Sequence, residues 1–122
     1  MTRFLYSQRT GVLTGPDGKV WAKGYSGHGE GLNNPAKESV QAVGPIPRGD
    51  WEIGAPYDSK NVGPFALPLT PKGHDALGRS AFRIHGDNRK GDRSASHGCI
   101  IVPRDIRNRI RASGVSMLRV VE

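Results

Sequence analysis

The chain has 122 residues, a net charge of +7, 35% hydrophobic residues, 17 glycines, 9 prolines and one cysteine. That length builds one domain around one core, expected over residues 1–122, and the turn-rich composition favours short strands over a helical bundle. A lone cysteine excludes an internal disulfide framework and a multi-cysteine zinc site, and no apolar run is long enough for a membrane span or a signal-peptide core.

The expectation is a chain made in the cytoplasm without a signal peptide and without membrane insertion. Between Arg83 and Arg111 lie eight basic residues against three acidic ones. Such a surface draws polyanions. No RNA-binding or helix-turn-helix signature accompanies it, so nucleic acid is not an expected partner, and Trp21 and Trp51 read as packing residues.

In chain order, Phe4–Gln8, Gly11–Thr14 and Val20–Tyr25 predict a three-stranded meander, with Asp17-Gly18 marking a tight hairpin turn. From Ser26 to Arg48 the composition turns to Gly, Asn and Pro, which predicts a long loop able to wall a cleft. Asp50–Ile53 alternates as a half-buried strand. Phe65–Leu69 alternates too, and Pro68, lacking an N–H, predicts an edge or a bulge there. In Ser80–His85 the period of two sends Phe82 and Ile84 to the core and Arg83 and His85 to the other face. Ile100–Val102 reads as a short buried strand. A helix follows, with Pro103 at its first position, Ile106 and Ile110 on its apolar face, a solvated face of Arg104, Arg107, Arg109 and Arg111, and Gly114 as its stop. Met117–Val121 closes the chain as a strand.

Ser96-His97-Gly98-Cys99 carries the chemistry. A thiol attacks as thiolate and needs a nearby base or cation, and His85 and His97 are both candidates for the base. Gly98 lets the backbone turn tightly beside the thiol. The alternatives are a buried inert cysteine and a zinc site built from His85, His97 and Cys99 with Asp87. No resolving cysteine supports a redox role. Nucleophilic acyl transfer is the remaining chemistry, with backbone N–H groups holding the oxyanion.

These residues carry a resemblance. Ile84-His85-Gly86-Asp87 followed by Ser96-His97-Gly98-Cys99 resembles the signature of the L,D-transpeptidase (YkuD-like) catalytic domain. Gly24-Tyr25-Ser26-Gly27, Asn33-Asn34-Pro35 and Gly44-Pro45-Ile46-Pro47-Arg48-Gly49 are similar to the small branch that includes type VI secretion effectors. The resemblance implies a mainly β catalytic domain, sandwich or barrel-like, with one short helix near the C-terminus and no cofactor.

It further implies Cys99 attack on peptidoglycan tetrapeptide stems at the bond between the diamino acid and D-alanine. His85 would be the base, the Gly86 carbonyl its orienter, Gly98 and Cys99 the oxyanion donors and His97 a supporting residue. Ile101 and Val102 stand where many L,D-transpeptidases carry arginine or asparagine, which leaves Arg83, Arg93 or Ser96 to hold the substrate carboxylate. Asp87 and Tyr25, within the shared motifs, are further substrate contacts. Carboxypeptidase activity, cross-linking and D-amino-acid exchange all fit. Implied partners are the stem peptides, a secretion machine or phage and a cognate immunity protein, with action in the periplasm of a target cell. The competing class is a wall-binding or phage-structural module without turnover.

Overall fold

The computed structural model describes residues 2–122, and it is mainly β with a single α-helix. The strands are β1 (Phe4–Ser7), β2 (Val12–Thr14), β3 (Val20–Lys23), β4 (Tyr25–Ser26), β5 (Gly49–Ile53), β6 (Tyr57–Ser59), β7 (Gly63–Lys72), β8 (Arg83–His85), β9 (Ile100–Ile101) and β10 (Met117–Val121). Helix α1 is Arg104–Ser113. They pair in the order β3-β2-β1-β10-β5-β7-β8-β9-β4, with β6 added on β7. The expected meander forms, but it ends at Lys23: Tyr25 instead pairs with Ile101 on β9.

The two outermost strands of that path, β3 and β4, are consecutive in sequence and joined by Gly24 alone. The two ends of the path are thereby joined through the chain, and the mainly β architecture with one short helix near the C-terminus is as expected. A Cβ on Gly24 would stand 1.9 Å from the Ile101 carbonyl oxygen, so only glycine passes the seam.

The core is filled from both halves. Phe4, Tyr6, Trp51, Leu67, Ile84 and Ile100 are each fully buried. Phe82 stacks edge-on against Trp51 at 5.0 Å, and Trp21 against Phe4 at 5.1 Å, so both tryptophans pack as expected.

The strand that carries Pro68 is internal rather than an edge, since β7 is shared by β5, β6 and β8, but it does carry an irregularity: its pairing with β6 shifts register between Tyr57↔Ala66 and Ser59↔Gly63. The β8 side takes its bond from Leu69 N–H to Phe82 O, while Pro68 faces the gap between β5 and β6, where its carbonyl accepts from Gly54. No N–H is demanded of it there. Arg107 departs from the expected solvated face: it is only 4% exposed, and its guanidinium donates to the carbonyls of Phe65 and Val102. Arg104, Arg109 and Arg111 are exposed as expected, while Arg104 also covers Phe65 at 4.6 Å and Arg109 covers Trp21 at 3.9 Å. Pro103 caps α1 rather than opening it, and Gly114 stops it in the left-handed conformation, at φ 71°.

Candidate active site

The site rests on a parallel pair of strands. β8 and β9 align Ile84 with Ile100 and His85 with Ile101, and Val102 N–H donates to His85 O at 3.2 Å. Cys99 enters β9 beside Arg83, whose backbone N–H supports the sulfur, and its thiol donates to Ala81 O at 3.6 Å. His85 and Cys99, fourteen residues apart, thus reach one cavity of about 380 Å³ through neighbouring strands.

Ser96 holds the turn before the thiol. Fully buried, its hydroxyl donates to Cys99 O at 2.6 Å and accepts from Gly27 N at 2.8 Å and Gly98 N at 3.1 Å. Ser26 mirrors it, donating to Gly98 O and accepting from Ile46 N. Gly98 has φ 133°, and a Cβ there would meet Arg79 Nη2 at 2.5 Å and Phe82 Cε1 at 2.9 Å. The close turn expected at this glycine is present. Through these bonds the segment 26–48 is tied to the cysteine turn, and its Gln41 and Ala42 wall the cavity.

His85 is 3% exposed, and its Nδ1 lies 2.8 Å from Gly86 O. A carbonyl only accepts, so Nδ1 carries the proton and Nε2 keeps its lone pair. Burial pushes the His85 pKa below the ordinary histidine value, against the pull of Gly86 O; Arg83 and Arg107 lower it and Asp87 raises it. Burial pushes the Cys99 pKa up, opposed by the Arg83 N–H and by the charges of Arg83 and Arg79. The resting pair is therefore a neutral imidazole and a neutral thiol. That arrangement suits a base that takes the proton as the sulfur attacks.

The other expected residues divide sharply. Arg83 and His97 line the cavity with Cys99. His97 also packs edge-on against His28 at 4.9 Å. Asp87 and Gly86 line an adjoining cavity of about 480 Å³ that shares His85 and His97. Tyr25 is buried, donating to Asp87 at 2.6 Å and accepting from Ala95 N at 3.2 Å, so it clasps the segment 87–95 rather than reaching a ligand. Ser96 is likewise consumed internally, and Gly98 N–H is turned toward it, away from the cavity. Arg93 is exposed and lines neither cavity. Among the described residues, no three His, Cys, Asp or Glu side chains gather as a metal-binding group.

Sequence reasoning missed Arg79, Asn61 and Val62. The latter two sit on the β6–β7 turn and line both cavities. Arg79 reaches the site from outside every motif, and no local pattern announces it.

The family model of the Tlde1 domain matches residues 21–121. The chain belongs to the Tlde1 domain family. This is a family of type VI secretion effectors of the L,D-transpeptidase type. No curated protein and no solved structure matches the chain significantly. The Tlde1 match spans β3 to β10 and takes in every candidate residue from Tyr25 to Cys99, while β1 and β2 precede it.

Proposed function

We propose that the protein is a cysteine L,D-carboxypeptidase and transpeptidase of peptidoglycan, cutting tetrapeptide stems between the diamino acid and D-alanine. The observation that carries this reading is the convergence of Cys99 and a neutral His85, its Nδ1 bonded to Gly86 O, on one cavity. His85 Nε2 takes the thiol proton as Cys99 Sγ attacks the carbonyl carbon of the diamino acid. Cys99 N–H holds the oxyanion, since Gly98 N–H is engaged by Ser96. The tetrahedral intermediate expels the amine of D-alanine, which takes the proton back from His85, and a thioester remains. Water, or the amine of a second stem or a free D-amino acid, then attacks with His85 again as base, releasing the stem product and the thiol.

Arg83 would hold the substrate carboxylate in this reading, which is supported by its lining the thiol cavity where Arg93 and Ser96 do not. Family membership supports delivery by a type VI secretion machine into a target cell's periplasm and protection of the producer by an immunity protein. Incubation with tetrapeptide muropeptides, followed by mass spectrometry, is expected to show loss of D-alanine, abolished in Cys99→Ala and in His85→Ala. Full activity in either variant overturns the assignment.

A further inference from the structure

Among the described residues, Arg79 is a buried cation with no carboxylate hydrogen-bonded to it. It is 7% exposed, and its guanidinium donates to four backbone carbonyls: Glu38 at 2.6 Å and Pro45 at 2.8 Å through Nη1, Gly44 at 3.0 Å and His97 at 3.1 Å through Nη2. Glu38, whose backbone carbonyl it bonds, turns its carboxylate to Arg48 and Gln8. Phe82 lies against the guanidinium face at 5.1 Å. Carbonyl dipoles orient a guanidinium but leave its unit charge in place, and a charge withdrawn from water is weakly screened.

That charge lines the same cavity as Cys99. Four groups bear on the thiol from the elements around it: Arg79 before β8, Arg83 and His85 on β8, and His97 on the cysteine turn. Of the two arginines, Arg83 is the more exposed and Arg79 the buried one. Burial lowers the Arg79 pKa, and the anionic form of Cys99, ahead of Glu38, is what opposes this. A loop clamp alone requires four donors and no net charge, so the geometry answers a second need.

We propose that Arg79 is a positioning residue for the reaction, its buried guanidinium clamping the segment 38–45 to the cysteine turn while serving as counter-charge to the Cys99 thiolate. The inference rests on Cys99 being the nucleophile, but its test needs no turnover. Iodoacetamide alkylation of Cys99 is followed against pH in the wild type, Arg79→Gln and Arg79→Lys, with circular dichroism confirming each fold. Arg79→Gln is expected to move the midpoint up by about one pH unit, a tenfold loss of thiolate at a given lower pH. Arg79→Lys keeps the charge and is expected to hold the midpoint within about 0.3 unit while slowing turnover through a looser turn. Equal midpoints in wild type and folded Arg79→Gln overturn the proposal, as does a full-unit shift in Arg79→Lys. Should Arg79→Gln not fold, the lysine variant decides, together with the wild type in molar salt. A midpoint unmoved by salt supports the buried charge, and one displaced by about a unit assigns the effect to the less buried Arg83 and overturns it. D-Alanine release persisting in Cys99→Ala sinks the proposed function separately.

Discussion

Replacing Ser96 with alanine removes one oxygen and leaves the Cβ, so it creates almost no cavity and isolates the hydroxyl's role. That oxygen serves three backbone groups, Cys99 O, Gly27 N and Gly98 N, at a site with no solvent exposure. A buried polar group left without its partner costs about 1–3 kcal/mol, and the three groups share one locus able to relax, which gives about 4 kcal/mol in total. Against the roughly 5–15 kcal/mol that holds a domain together, this is a large fraction. With an m-value of about 2 kcal/mol/M, the urea midpoint falls by roughly 2 M, read from the fluorescence of buried Trp51. The matched control is Ser94→Ala, at an exposed serine, expected within about 0.5 kcal/mol of wild type. A loss below about 1 kcal/mol for Ser96→Ala refutes the view that this hydroxyl organises the turn.

With His85 as the proposed base, acting in its neutral form, D-alanine release is expected to stay at its plateau down through the ordinary histidine pKa and to fall only as pH drops through the lowered one; half-maximal activity above about 6.5 contradicts this. Gly98→Ala places a methyl group 2.5 Å from Arg79 Nη2 at a left-handed φ, so we expect a loss of about 2–3 kcal/mol in thermal unfolding together with loss of muropeptide cleavage. Tyr25→Phe frees Asp87 and Ala95 N–H, and hydrogen exchange should quicken across 87–95 while α1 keeps its protection; uniform quickening would mean that the hydroxyl is a global rather than a local tie.

Local patterns made much of the fold legible. The Phe82–Ile84 alternation, the Asp17-Gly18 turn and the Gly114 stop each express backbone rules that operate within a few residues. What escaped depends on where a side chain ends up. Arg107 shares its helix with arginines at the surface, and only the carbonyls of Phe65 and Val102, supplied by distant chain, distinguish it. Pro68 points to an edge or a bulge, and the β6–β7 register shift supplies the irregularity, but that its own missing N–H falls in the gap between β5 and β6 depends on where those strands end. At the site, both histidines adjoin the thiol cavity, but the bond to Gly86 O separates buried His85 from exposed His97. Arg79 stayed invisible because its acceptors lie 18 to 41 residues away.

The β8–β9 pairing has a consequence for how such a site can diversify. His85 and Cys99 are registered by backbone bonds between adjacent parallel strands, so the intervening segment 87–95 does not set their separation. Its length and sequence are free to vary beneath the Tyr25 clasp, changing what borders the second cavity while the reacting atoms stay where they are. Under the proposed function, the fold would separate the machinery of bond breaking from the surface that chooses a substrate, and would allow the latter to be exchanged as a cassette.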